Sequence, residues 1–451
     1  MHDYIKDFNS YLVDNFDSES LDRIARETGF VERKSSIDAT SFLACLMLNE
    51  SDQKDTSLID LKCDLFEHYN CDVSKVAIHK RFNKPAVDFV KKVLSENIAY
   101  RFNVQSLELT QFTGIYIKDS TKFSIPKNLN KDYPGFNGFH KDQALMNIQY
   151  EYDLVSGNWN AFEITKATRN DQEDSKCTLD NIKEGSLMLR DLGYVTMNYL
   201  KGVIERKAYY LNRLPTTLNV YIKEGQKMKL LDWNEVDKQM KKRQLDQMEL
   251  AVYLGKNELI SSRLIIKSVP DEVYQKRIRK ASKHAKSKGC QLSDDYKIKS
   301  KYTLLITNAS KEHLSTSDIS KVYSLRWQIE LIFKTWKSNL KIHITKKVKK
   351  ERFECQLIAK IIWILINWRL FQIADKLIKS KKSDSGCSIQ KFFKYAKRNS
   401  ASLREIIKLQ EVPKVWFDKS FIPIMKDLII EKKKGKQTHC QVFKQALSSL
   451  G

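Results

Sequence analysis

Apolar residues recur at helical spacing through the first hundred positions, at Leu12, Phe16 and Leu21, from Ser41 to Leu48 and from Val87 to Ile98, and no stretch there alternates as a strand would. The pattern predicts an all-helical N-terminal domain over 1–108. Inside it, Ser57 to His68 and Ser74 to Phe82 read as two short helices around a tight turn at Cys71-Asp72-Val73. From about 110 the period changes to two. Gly114 to Lys118 reads as a strand that ends at Asp119-Ser120-Thr121. Met146 to Leu154 and Trp159 to Thr168 read as two more, joined through the turn signal Ser156-Gly157-Asn158, so that antiparallel strands are expected. A polar helical stretch over about 171–184 leads to a short strand, Ser186 to Leu189, which ends at Arg190-Asp191-Leu192-Gly193-Tyr194; a helix (Val195 to Val203) and a strand (Ala208 to Leu214) follow.

That order, three strands, helix, strand, helix, strand, predicts an α/β fold with a ribonuclease-H-like core, a mixed sheet flanked by helices. Residues 215–308 interrupt it with strand-like pieces at Leu218 to Ile222, Leu250 to Leu254, Ile260 to Ser268 and Tyr302 to Thr307, and read as a β-rich insertion. The chain is helical afterwards. Its most apolar stretch, Leu357 to Ile373, is broken by Lys360, Asn367 and Arg369, short of the roughly 20 clean residues of a membrane span, and reads as a buried helix. The expected division is 1–108 (helical), 109–214 (core, first part), 215–308 (insertion), 309–378 (core, second part) and 379–451 (helical C-terminal region).

At 451 residues the chain exceeds one ordinary core, and its 42% hydrophobic content excludes a disordered protein. Charge changes the picture most. Lys plus Arg number 79 against 55 Asp plus Glu, a net +24 that self-repels unless a polyanion neutralises it, which makes nucleic acid the first partner to expect. The second short helix near the N-terminus carries Lys75, His79, Lys80 and Arg81, as a helix-turn-helix entering a major groove would; an ordinary hairpin with a solvated basic face has the same pattern. Gln275 to Lys288 (QKRIRKASKHAKSK) likewise suits a phosphate backbone or a solvated helix face, and further clusters lie at 346–352, 379–382 and 432–436. The N-terminal MHDYIKDFNS has no basic stretch followed by an apolar one, so neither export nor a membrane is expected. The eight cysteines form no CxxC or CxxH and read as free thiols of a reducing, cytoplasmic compartment. The eight histidines form no HxxxH or HExxH, so a metal here is expected on carboxylates.

Three acids stand out by position: Asp119 at the first strand's end, Asp191 after the fourth, and Glu330 on the helix after the insertion. Parallel neighbouring strands would hold the aspartates side by side, and such a cluster needs a compensating cation at neutral pH. Oxygen ligands favour Mg²⁺ or Mn²⁺, and two such ions suit in-line displacement at a phosphodiester. On the helix, Tyr323, Arg326, Glu330 and Lys337 at offsets 0, 3, 7 and 14 fall within about 60° of one another, with Lys334 and Lys341 extending the stripe. Glu330 would complete the metal site while Arg326 and Lys337 hold phosphates. Leu325, Ile329, Ile332, Phe333, Trp336 and Leu340 occupy the adjacent face and are expected to pack on the sheet.

The run YSLRWQIELIFKTWK, with the spacing Y-x2-R-x3-E-x6-K, resembles the signature of the insertion-sequence 4 family of bacterial DDE transposases. Lys118-Asp119-Ser120-Thr121 is similar to that family's first-aspartate motif, and Asp191-Leu192-Gly193-Tyr194 followed by Tyr209-Tyr210-Leu211-Asn212-Arg213 to its second. The resemblance covers about 30–370; Ser120 stands where Gly is also common in the family. It implies cut-and-paste transposition by a ribonuclease-H-like domain with a β-rich insertion, and two Mg²⁺ ions on Asp119, Asp191 and Glu330. It also implies DNA contacts from Tyr323, Arg326 and Lys337, and a homodimeric synaptic complex on double-stranded transposon ends and target DNA. Hairpin formation on the transposon ends follows only by analogy, and residues 379–451, for dimerisation or end binding, lie beyond the match. Relatives stack a flipped base on an aromatic of the insertion, for which Trp233 is the candidate beside its plain reading as a packing residue. The implied protein is nucleoid-associated in a bacterial cytoplasm. The alternatives are a catalytically silent, transposase-derived DNA-binding protein and another ribonuclease-H-like nuclease.

Overall fold

The structure, a computed structural model, describes residues 2–33, 35–48, 57–102, 111–136, 142–382, 385–431 and 441. Among the described residues, six helices open the chain: α1 (His2–Phe16), α2 (Ser18–Glu27), α3 (Ala39–Leu48), α4 (Leu58–Tyr69), α5 (Lys75–Arg81) and α6 (Lys84–Ala99). The caps explain several boundaries. Ser57 and Asp60 form a reciprocal capping box at α4, left-handed Asn70 ends it, and Ser74 and Asn83 accept the orphan N–H groups that open α5 and α6. Next come β1 (Ile115–Ile125), β2 (Ala144–Asp153), β3 (Trp159–Lys166), α7 (Asp171–Cys177), β4 (Leu187–Arg190), α8 (Met197–Glu205) and β5 (Tyr209–Arg213). The strand-rich segment holds β6 (Val220–Glu224), β7 (Lys227–Leu230), α9 (Trp233–Lys242), β8 (Gln247–Leu254), β9 (Ile260–Ser268), α10 (Asp271–Ser287), α11 (Asp294–Ser300) and β10 (Tyr302–Thr307). The remaining main helices are α12 (Ile319–Ser324), α13 (Trp327–Ser338), α14 (Lys350–Lys381), α15 (Ile389–Arg398) and α16 (Ser400–Leu409).

These elements form a mixed α/β protein of two compact units. The first comprises Met1–Leu107, Ser120–Arg169 and Trp327–Lys444. Its axis is α14, 32 residues long and apolar enough by length and composition to cross a bilayer, longer than the sequence pattern suggested. Burial explains that composition: 94% of its most apolar 18-residue window is covered by protein, with α3 and α6 packed against it. Even Arg369 is fully buried, its guanidinium bonded to Asn158 and to the Tyr100 carbonyl and lying over the rings of Tyr11 and Phe102. In the same unit β2 and β3 pair antiparallel through the expected Gly157 turn, where φ is +70°. Trp336 of α13 packs on Tyr150 and Trp159 of that hairpin, so the apolar face expected on the Glu330 helix does pack on strands.

The second unit comprises Glu108–Asp119, Asn170–Arg326 and Gln445–Gly451. Its strands run in the order β1-β4-β5-β10-β9-β8-β6-β7, parallel from β1 to β5 and antiparallel thereafter. The strand-rich segment therefore continues the sheet from the β5 edge, and one core runs from Tyr116 and Met188 to Val252 and Leu264. The pattern missed β7, whose KMKL is exposed along its whole length and held by pairing to β6 across Gly225. Gln275 to Lys288 is almost wholly helical, within α10.

Candidate active site

β1 does not stop at Asp119, as the sequence pattern suggested. It pairs in parallel with β4 from Ile115↔Leu187 to Lys118↔Arg190 and then runs on to Ile125. Asp119 and Asp191 are each the residue after that last pair. Side chains alternate along strands, so Lys118 and Arg190, both buried, share the face opposite Asp119. Lys118 forms an ion pair there with Asp174 of α7, which is also fully buried. Arg190 lies over the Tyr199 ring, and its carbonyl accepts from the Asn212 amide of β5.

Arg326 joins the two aspartates. Its Nη1 lies 3.2 Å from Asp119 Oδ2 and its Nε 3.9 Å from Asp191 Oδ1. The Tyr323 hydroxyl donates to Asp191 Oδ1 at 3.5 Å. Burial, and then the negative charge of Asp191, push the Tyr323 phenol up to about 12, so it remains a neutral donor at physiological pH. Asp119 is 20% exposed and Asp191 43%, which leaves both carboxylates within reach of solvent.

The single helical stripe expected from Tyr323 to Lys341 is interrupted. α12 ends at Ser324, and the N–H groups of Leu325 and Arg326 donate three residues back, to Val322 and Tyr323, in a tightened turn before α13 starts at Trp327. Arg326 thus sits in the turn, where its side chain turns to the aspartates. Glu330 lies in the first turn of α13, in the other unit, together with exposed Lys334 and with Lys337, whose Nζ donates to the Lys122 carbonyl at 3.1 Å. Burial holds the Lys337 ammonium below its usual range. Lys341 falls beyond the helix in a left-handed turn with φ +48°, off the stripe.

Among the described residues, no group of three or more His, Cys, Asp or Glu side chains is gathered as a metal site. The two aspartates nonetheless fit a hard divalent cation in donor type: both are carboxylate oxygen donors partly open to solvent, and the guanidinium they share marks where they draw positive charge.

Trp233 is 4% exposed in the core, with Lys299 4.9 Å from its ring, which favours the packing reading over base stacking. On α5, Lys75, His79 and Lys80 are exposed, but Arg81 turns inward to the Ile37 carbonyl and the Phe30 ring. In the 346–352 cluster Arg352 is buried and Lys350 pairs with Asp132; the 432–436 cluster lies outside the described residues. Among the described residues, Cys45, Cys63, Cys71, Cys177, Cys290 and Cys355 carry free thiols.

Sequence reasoning overlooked Arg263 of β9. Its guanidinium forks onto Glu249 of β8 at 3.0 and 2.9 Å, and its Nη1 donates to the carbonyls of Ala309, Ser310 and Leu314. Burial pushes the Glu249 carboxyl up, but hydrogen bonds from Arg263 and Thr316 outweigh it and hold it below its usual range. The cluster fastens the loop that leads into α12. Its sole signal was a lone arginine inside the strand-like run ISSRLII.

The sequence model of the transposase DDE domain family matches residues 110–366. The chain is 31% identical over 402 residues to the transposase for insertion sequence element IS231B of Bacillus thuringiensis subsp. berliner, spanning 85% of this chain and 84% of that one. It is 30% identical over 388 residues to the transposase for insertion sequence element IS1151 of Clostridium perfringens, spanning 81% of each. Among solved structures it is similar to the piggyBac transposase synaptic complex with hairpin DNA, with a TM-score of 0.43 and 12% identity over 96% of this chain and 88% of that one.

Proposed function

Because the chain belongs to the DDE transposase family and is thereby an enzyme that cleaves DNA and transfers its strands, we propose that Asp119, Asp191 and Glu330 form its catalytic and metal-binding triad. The observation that carries this reading is the bridge from Arg326 to both aspartates, side by side on parallel strands. Glu330, four residues after Arg326, is assigned by sequence spacing. Two divalent ions, Mg²⁺ or in its place Mn²⁺, would supply an activated nucleophile and stabilise the leaving oxygen of an in-line displacement.

The chain's own groups supply the rest. Arg326, Lys337, Lys334 and Lys341 hold phosphates by charge, and Arg326 also keeps the carboxylates from repelling each other before an ion binds. Tyr323 offers a neutral hydroxyl beside Asp191. The substrate is double-stranded DNA, the terminal inverted repeats and the target, bound by a homodimer in a synaptic complex within a bacterial nucleoid. The core is ribonuclease-H-like in two parts, 109–214 and 309–378, around the insertion 215–308, with DNA binding in 1–108 and dimerisation in 379–451.

The test is divalent-ion-dependent cleavage of a donor plasmid carrying the element's own ends, comparing wild type with Asp119→Asn and Glu330→Ala. Each variant is expected to lose more than the about 10- to 100-fold that disturbing a metal's outer shell costs. Salt-sensitive DNA binding by the wild type with no cleavage under Mg²⁺ or Mn²⁺ would replace the catalytic reading with the silent DNA-binding one.

A further inference from the structure

α10 has no buried residue, yet its two faces differ sharply. Tyr274, Arg277, Ile278, Ala281 and Ala285 are its partly covered positions, spaced as one helical stripe. Arg277 anchors that stripe, donating from Nη1 to the Tyr302 carbonyl at 2.7 Å and the Ser300 carbonyl at 3.1 Å, and from Nη2 to the Thr303 hydroxyl. At about 100° per residue, Lys276, Arg279, Lys280, Lys283 and Lys286 fall on the opposite side, spread over about 120°, and all five are exposed. Between Gln275 and Lys288 there is no acidic residue. The acids of the helix, Asp271 and Glu272, stand in its first turn, where the helix dipole favours them.

We propose that this outward stripe of α10 is a binding surface for the phosphate backbone of duplex DNA, a contact apart from the Asp119–Asp191 site. From Lys276 to Lys286 the helix advances about 15 Å, a length over which one DNA strand presents about four phosphates. Five cations on one rigid, inwardly anchored helix match that charge density. A helix merely seeking solvation would intersperse both signs along its outer face, and this one does not. The outward Lys and Arg side chains are exposed on long flexible stems, so the stripe meets phosphates by charge and contributes affinity and orientation more than sequence choice.

This proposal rests on the transposase reading, and its test separates the two. The quadruple variant Lys276→Gln, Arg279→Gln, Lys280→Gln, Lys283→Gln is compared with a control of equal charge change elsewhere on the same unit, Lys223→Gln, Lys227→Gln, Lys242→Gln, Lys256→Gln, whose lysines are also exposed. Binding to donor-end duplex is measured across salt concentrations. Each lost phosphate contact lowers the log–log slope by about 0.9, so the α10 variant, with four cations removed, should lose up to about 3.6 in slope and the control less than 1. Equal slopes for the two variants would overturn the proposal while leaving wild-type cleavage, and with it the transposase reading, intact. Absence of wild-type cleavage would remove that reading whatever the slopes. Exposed glutamines are compatible with the helix, and a melting temperature no lower than that of the wild type checks that the variant is folded.

Discussion

Arg326 carries two electrostatic tasks that pull in different directions. It holds Asp119 and Asp191 together at 3.2 and 3.9 Å, and a divalent ion on the same oxygens would do so more strongly. On the proposed reading, its guanidinium is a stand-in cation for the metal-free protein and would become a phosphate ligand once DNA arrives. Arg326→Ala should leave the metal-free protein less stable by about 1–2 kcal/mol, since the two neighbouring carboxylates then repel each other in a partly buried place. Mg²⁺ should restore more stability to the variant than to the wild type, because binding energy is added in proportion to what repulsion had removed. Thermal melting with and without 10 mM Mg²⁺, a concentration on the order of millimolar affinities for exposed carboxylate sites, measures both; equal Mg²⁺ shifts for the two proteins would show that the bridge does not compete with the metal. That Asp119 and Asp191 were visible in the sequence follows from their positions at the edge of apolar strand runs. Their partner Lys118–Asp174 on the opposite face was not, because a lysine that alternates into a buried face looks no different from an exposed one until α7 is seen to cover it.

Between residues and site stand the elements, and here local patterns were read well wherever a cap or a period set the boundary. Ser57 and Ser74 cap α4 and α5 by backbone bonds within three residues, so the sequence alone locates them. The break between α12 and α13 is different: YSLRWQIEL has neither glycine nor proline, and only the two backward N–H bonds at Leu325 and Arg326 reveal it. The loop before that break is held from a distance. Arg263 spends its donors on Glu249 and on three carbonyls of 309–314, fixing the approach of α12 and hence Tyr323 and Arg326. With both side chains about 14% and 13% exposed, removing the guanidinium leaves the Glu249 carboxylate only the Thr316 hydroxyl and Lys311, 3.5 Å away. Arg263→Ala should therefore cost about 1–3 kcal/mol, less than an uncompensated buried charge would. Arg263→Lys, which keeps the charge but lacks the fork, separates position from stability: end-duplex affinity should hold while plasmid cleavage falls about tenfold, the factor attached to about 1.4 kcal/mol of misplacement in the transition state. Cleavage at the wild-type rate by a stably folded Lys variant would reduce Arg263 to a structural tie.

At the scale of the whole chain the net +24 is divided between structure and surface. Lys118, Arg190 and Arg369 are each 0–1% exposed and serve buried pairs and rings, whereas the outward cations of α10 and the lysines of β6 and β7 face solvent. A chain-wide excess cannot by itself say which cations meet DNA, which is why the sequence singled out the α5 and α10 stretches together but could not see Arg81 and Arg277 turn inward. The surface excess has a consequence of opposite sign in the two states of the protein. Without DNA, salt screens self-repulsion beyond about 10 Å at 0.1 M and should raise the melting temperature between 50 and 200 mM NaCl, the span over which counterion release is strongest felt. With duplex DNA in excess, the same change should lower it. A protein engaging six phosphates loses on the order of a thousandfold in affinity over that range, and because binding stabilises the folded state as the logarithm of ligand over its dissociation constant, about 4 kcal/mol of linked stability goes with it. Paired melting curves at both salt concentrations, with and without donor-end duplex, check the crossed signs. Slopes of the same sign in both would mean that the excess charge is internally compensated and that DNA binding here is carried by other forces than phosphate neutralisation.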